Sequence, residues 1–168
     1  GDVSLIAADL VSREGIVKGI DPAAEALAIA RARLDADGKT WASFSQGTLE
    51  SLEDCSRFDA AIGRFILIHL ANPAEALSGL RKRLRSGAIM SFIEFDLSTA
   101  AVYPPLPLFQ QCNGWICEVY RRMGHEFDMG VALFGAFRAA GLTPLMAGLT
   151  RITTANDDAG IDFLVDSV

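Results

Sequence analysis

Cysteine is scarce in this 168-residue sequence: Cys55, Cys112 and Cys117 are odd in number and lack CxxC spacing. That pattern signals neither a disulfide framework nor a zinc site, and a reducing, cytoplasmic setting is the expectation. No apolar stretch approaches the roughly 18 residues of a spanning helix, despite a positive mean hydropathy, so no membrane partner is expected. Charge is thin and acidic, with 15 Lys and Arg against 21 Asp and Glu for a net −6. Nucleic-acid affinity comes largely from clustered cations. The one dense cluster is Arg81, Lys82, Arg83 and Arg85, and no nucleic-acid partner is expected. Repeats and low-complexity linkers are also missing. What is plentiful is apolar side chain, 51% of residues, which excludes disorder and suits one domain over 1–168.

The order of elements is read from periodicity and punctuation. Asp2 to Ser12 reads as a short helix with Asp2 as its cap, and Ile16 to Ile20 as a buried parallel strand. Asp21 and Pro22 then open a helix to about Asp35, Asp21 as N-cap and Pro22 in the first turn, with Leu27, Ala30 and Leu34 along one face. Trp41 to Ser45 and Phe58 to Gly63 read as strands. Asn72, Pro73 and Glu75 form a second helix start, in which Glu75 can reach back to the cap's N–H, and Leu77, Leu80 and Leu84 supply the buried stripe. The basic cluster crowds that helix's last turn, where cations meet the negative end of the dipole, and Gly87 stops it. Ala88 to Phe95 is a strongly apolar strand. Strands alternating with helices at this spacing give an α/β class with a parallel sheet covered on both faces. A proline-rich loop, a helix from Leu108 to Met123, a helix from Asp128 to Ala140, and a weak strand from Leu142 to Ile152 follow. The tail Asn156 to Val168 can begin another helix.

Several of these stretches, in order, resemble class I S-adenosylmethionine-dependent methyltransferases, particularly the quinone-biosynthesis-like group acting on small molecules. Gly1 before the first helix looks like the last glycine of that family's glycine-rich loop. The run Val17, Lys18, Gly19, Ile20, Asp21, Pro22 with Ala26, Leu27, Ala30 and Arg31 is similar to its second strand and helix. Gln46, Gly47, Thr48, Leu49, Glu50 resembles the loop beside the adenine. Phe58 to Ala60, Ile66 to Leu70, and Asn72 to Gly87 resemble the fourth strand, the next helix and the start of the fifth strand. Phe127 to Gly130 and Ala139 to Leu142 continue the likeness.

The resemblance implies a Rossmann-like doubly wound, mostly parallel sheet and S-adenosylmethionine as cofactor. It implies methyl transfer to a small-molecule acceptor, with Gly1, Asp21, Pro22, Gly47, Thr48, Leu49 and Arg64 on the cofactor side and 97–127 as a lid or substrate-side insertion. It also implies that a central strand and its glycine-rich loop lie ahead of Gly1, and a last strand beyond Val168. Thr48 stands where many members carry an acid beside the adenine.

Each candidate has a plainer alternative. Asp21 either accepts from a ribose diol or caps the helix at Pro22. His69, the candidate general base, competes with a structural histidine before Asn72, and His125 with a solvated loop residue. Arg64 either binds a carboxylate or cofactor, or is an exposed strand end. Glu94 and Asp96, two apart at a strand end, share one face and hold a metal or polar substrate unless they are only the solvated rim. Phe109, Trp115 and Tyr120 line an acceptor pocket or pack a core. No metal-ligand set is assigned. The competing functions are a nucleotide-dependent oxidoreductase and a noncatalytic interaction domain of methyltransferase descent.

Overall fold

The structure, a computed structural model, describes residues 1–52, 55, 57–145 and 148. Helix α1 (Asp2–Val11) runs into a 3-10 turn, Ser12–Glu14. Strand β1 (Val17–Asp21), helix α2 (Ala24–Ala36) and strand β2 (Ala42–Gln46) form a parallel βαβ unit. Strand β3 (Ala60–Arg64), the 3-10 turn Leu67–His69, helix α3 (Pro73–Arg83) and strand β4 (Ile89–Ile93) form a second one. Helices α4 (Pro107–Met123) and α5 (Met129–Ala139) follow.

The expected single sheet is present as two parallel pairs, β1–β2 and β3–β4, and among the described residues no strand joins them. Helix α1 is the element common to both, packing on β1, β2 and β3. The apolar interior divides the same way. Leu5, Ala8, Leu34 and Ala42 gather under Val17, Trp41 and Phe44. Leu67, Ile68, Leu77, Met129 and Ala140 gather with Phe92, Phe95 and Phe137.

The two βαβ units share a device. Gly19 lies opposite Phe44 in the first register, and Gly63 opposite Phe92 in the second. A Cβ on Gly19 would sit 2.5 Å from the Phe44 ring, and one on Gly63 2.4 Å from the Phe92 ring. In each pair the aromatic ring occupies the space the glycine leaves, which fastens the register that a one-residue slip would destroy.

Helix signals meet mixed outcomes. Asn72 caps α3 as expected, its Oδ1 accepting from Glu75 N–H at 3.2 Å, and Pro73 is the first helical residue. Glu75 takes the Asn72 side-chain amide at 3.1 Å instead of the cap's backbone N–H. Leu27, Ala30, Leu34, Leu77 and Leu80 are buried as their spacing requires, whereas Leu84 is only half-buried, because α3 ends at Arg83 with Leu84 as its C-cap, ahead of the expected stop at Gly87.

The Asp21–Pro22 start is corrected: α2 begins at Ala24 with Ala23 as N-cap. Asp21 Oδ1 accepts from Ala23 N–H at 2.8 Å, a local turn two residues long that commits this oxygen before the helix starts. Asp2 is likewise the first helical residue, not the cap, because Gly1 holds that place. Strand boundaries shift by one or two residues, leaving Glu94 and Asp96 beyond β4. Residues 142–145 carry no regular structure, and the rest of the expected 142–152 strand, apart from Gly148, lies outside the described residues, as does the 156–168 tail.

Gly63→Ala is expected to cost about 1–3 kcal/mol from overpacking. Gly114→Ala, in mid-α4 with nothing within 4 Å of the added carbon, is expected to gain up to about 1 kcal/mol. Urea denaturation of both variants reads the contrast.

Candidate functional site

The carboxyl ends of the four strands carry most of the singled-out residues. At the end of β1, Asp21 faces Gln46 in register, and Gly47 N–H donates to Asp21 C=O at 3.1 Å. Asp21 and the Gly47–Thr48–Leu49 turn are therefore neighbours. The half-buried Asp21 carboxylate uses Oδ1 for its own turn, and Oδ2 has no hydrogen bond among the described residues. One carboxylate oxygen of Asp21 thus shapes the chain ahead of α2, and the other makes no hydrogen bond among the described residues.

The neighbouring turn is largely self-satisfied. Thr48 N–H donates to Ser51 Oγ at 2.8 Å, Ser51 Oγ donates to Thr48 C=O at 3.0 Å, and Arg83 donates to Leu49 C=O at 2.8 Å and Glu50 C=O at 3.2 Å. Arg83 of the basic cluster therefore pins this loop. Pro22 C=O accepts from Gln46 Nε2 at 2.9 Å.

Gly1 sits against α2, where a Cβ would come within 2.8 Å of Ala30 Cβ. Its lack of a side chain serves helix packing in this chain. Arg64, at the end of β3, pairs with Asp2 at 3.3 Å and lies over the Phe65 ring. Asp2 also pairs with Arg33 at 2.5 Å, and the hydrogen bond from Arg33 holds its carboxyl below the usual range. The Asp2 carboxylate thereby ties α1 to α2 and to β3.

Beyond β3 the chain turns sharply. Phe65 has φ 56°, a left-handed backbone rare for a bulky residue, and its ring stacks on Phe95 with centroids 3.8 Å apart. The next three N–H groups, of Ile66, Leu67 and Ile68, donate to the Glu94 carboxylate at 3.0, 2.9 and 3.3 Å. Burial pushes the Glu94 carboxyl above its ordinary pKa, although these three bonds oppose the shift.

Glu94 and Asp96, which the sequence leaves between a shared site and a solvated rim, instead each hold a separate turn. Asp96 Oδ1 accepts from Ser98 N–H, Ser98 Oγ and Thr99 N–H, closing its own turn. Among the described residues no group of three His, Cys, Asp or Glu can hold a metal.

His69 ends that 3-10 turn, exposed, with its ring 5.6 Å from His125 and 6.4 Å from Tyr120. His125 is brought there by Gly124, which ends α4 at φ 74° and turns the chain back so that His125 N–H donates to Tyr120 C=O at 3.0 Å. The sequence treats the two histidines separately, and the fold joins them. The one hint was the glycine directly before His125, a helix-ending signal that can fold the next residue back.

Residues 97 and 127 are bonded to each other, Leu97 N–H to Phe127 C=O at 2.9 Å, and Asn113 of α4 donates to Leu97 C=O at 2.9 Å. Helix α4 has no fully buried residue, and Trp115 is 60% exposed. Tyr120 alone of the three expected aromatics joins the histidines.

Residues 1–90, just over half of the chain, match the family model described as a methyltransferase domain. The chain belongs to the methyltransferase domain family. Among solved structures it is similar to the 4+2 cyclase SpnF, at 22% identity and a TM-score of 0.60 over 81% of this chain and 46% of that one. It is also similar to the YcgJ protein from Bacillus subtilis, at 18% identity and a TM-score of 0.54 over 74% of this chain and 51% of that one. These likenesses show the class I methyltransferase fold, and the chain spans about half the length of both structures. No curated protein matches it. Among the described residues no helix is long and apolar enough to cross a membrane.

Glu94 gives a pH signature. Its folded-state pKa is raised, so the folded chain holds that proton more tightly than the unfolded one, and the stability it contributes falls as pH climbs through the interval between the two values. Urea titrations are expected to show wild type losing ground to Glu94→Gln from acidic toward neutral pH. A gap moving the other way would contradict the burial argument.

Proposed function

We propose that this protein is an S-adenosylmethionine-dependent methyltransferase acting on a small-molecule acceptor. The observation that carries the reading is Asp21, a half-buried carboxylate at the end of β1 beside the Gly47 turn, whose Oδ2 has no hydrogen bond among the described residues. A carboxylate at that place can accept from both hydroxyls of a ribose diol, and this acceptor suits the nucleoside half of the cofactor. S-adenosylmethionine, when bound, supplies an electrophilic methyl group on a sulfonium.

The rest of the task falls to orientation and water exclusion, which can account for roughly 7–11 kcal/mol of barrier lowering. Asp21 would fix the ribose, and the Gly47–Thr48–Leu49 turn would lie beside the adenine. Arg64 would reach the cofactor only by leaving Asp2. The 97–127 segment would cover the acceptor, and where the acceptor must lose a proton, the exposed imidazole of His69 would take it. Family membership favours methyl transfer over the nicotinamide-dependent alternative. A second reading, a different reaction on the same fold, is favoured by one observation: the neighbour SpnF is named a cyclase.

Calorimetric titration of the full-length protein with S-adenosylhomocysteine is expected to give saturable binding. Asp21→Ala is expected to weaken it about 10- to 150-fold, the loss of about 1.5–3 kcal/mol of charge-assisted hydrogen bonding. No binding by wild type would overturn the cofactor assignment. Unchanged affinity in the variant, with a lower melting temperature, would leave Asp21 as a turn former only.

A further inference from the structure

We propose that Glu94 is the positioning residue for His69, acting through the turn that its carboxylate holds. The inference rests on the reading of His69 as the proton acceptor in the proposed reaction.

Four observations converge on it. First, the carboxylate accepts from three consecutive N–H groups, Oε1 from Ile66 and Leu67 and Oε2 from Ile68. One carboxylate thus fixes the orientation of the whole turn that ends at His69. Second, Leu67 and Ile68 are sealed in the core at 0% and 1% exposure, while His69 is exposed. The turn is anchored on its inner side and presents only the imidazole outward. Third, the chain enters the turn through Phe65 at φ 56°, a conformation that persists only where the surroundings over-determine it. The Phe95 stack and the bond from Phe65 N–H to Ile93 C=O at 2.9 Å supply that support, on the two residues flanking Glu94. Fourth, the His69 ring lies near Tyr120 and His125 at the end of α4, which gives a reference against which a displaced imidazole can be detected.

A solvated rim carboxylate would stay in water, yet Glu94 is half-buried and its carboxyl is raised in pKa by desolvation. The chain bears that cost to hold one turn. Among the described residues Asp96, two residues on, bonds only within its own loop.

The test is proton NMR of the wild type, Glu94→Gln and Glu94→Ala, with melting temperatures recorded in parallel. There are two histidines in the sequence, so a His125→Gln variant assigns both rings. Glutamine keeps the size of Glu94 but turns an amide NH2 toward the Ile68 N–H, so it disturbs the hold without leaving a cavity. The expected result for Glu94→Gln is a shift of the His69 ring signals and at least a twofold loss of His69–Tyr120 cross-peaks. The His125–Tyr120 cross-peaks, set by the end of α4, should stay. Glu94→Ala should enlarge the loss, and if it does not fold the glutamine variant decides alone. A lower melting temperature with His69–Tyr120 cross-peaks intact would overturn the proposal and leave Glu94 a stabilising residue. The S-adenosylhomocysteine titration of wild type is read separately. Its failure would remove the methyltransferase reading while the cross-peaks still report whether Glu94 orients His69.

Discussion

A half-buried carboxylate that accepts three successive backbone N–H groups is the constraint around which the second half of this chain is arranged. Backbone donors leaving a strand need partners. Here β3 ends in a left-handed residue, and Glu94 takes the donors of Ile66, Leu67 and Ile68. That arrangement sends Leu67 and Ile68 inward to meet Leu77, Met129 and Ala140. It also starts the path to the Asn72 cap and α3, and leaves His69 as the turn's outward face. The core and the candidate site therefore share one electrostatic anchor.

The first half depends on a different economy. Its interior is small, and close approach does the work that bulk does elsewhere: Gly1 against Ala30, Gly19 against Phe44, Ala8 beneath the Trp41 indole, whose N–H donates to Ala8 C=O at 2.8 Å. Asp2 links this half to β3 through Arg64. Both partners of that pair are substantially exposed, and exposed pairs contribute little to stability, so the packing of α1 on β1, β2 and β3 is the stronger connection. The two halves repeat one design, a parallel pair with a glycine facing a phenylalanine, without sharing a sheet among the described residues.

Much of the fold is legible in the sequence; the caps of α1 and α2 differ by local turn chemistry, and the site differs through long-range contacts. Helices α2 and α3 announced themselves through the spacing of Leu27, Ala30, Leu34, Leu77 and Leu80, and the Asn72–Pro73–Glu75 start is local chemistry within four residues. Asp21 does not cap α2 as its residue type suggests, because its Oδ1 closes a turn on Ala23 N–H one residue before the helix's own cap. Glu94 and Asp96 misled because alternation along a strand says which face a side chain leaves from, not which donors reach it. The donors come from a turn 26 to 28 residues earlier. His69 and His125 are joined only because Gly124 folds the end of α4 back over Tyr120.

The sequence by itself determined what depends on neighbours along the chain: the α/β class, the order of strands and helices, the cap of α3, and a family likeness carried by motif order. The reason is that hydrophobic period, capping and turn chemistry act over a few residues and are written directly in residue type. Tertiary structure alone decided which carboxylate clamps and which stays available, that Phe65 is held in a left-handed conformation, that α1 bridges two separate strand pairs, and that two histidines 56 positions apart in number meet. Those outcomes arise from contacts between segments distant in sequence, where many partners are chemically acceptable and only the packed geometry selects one.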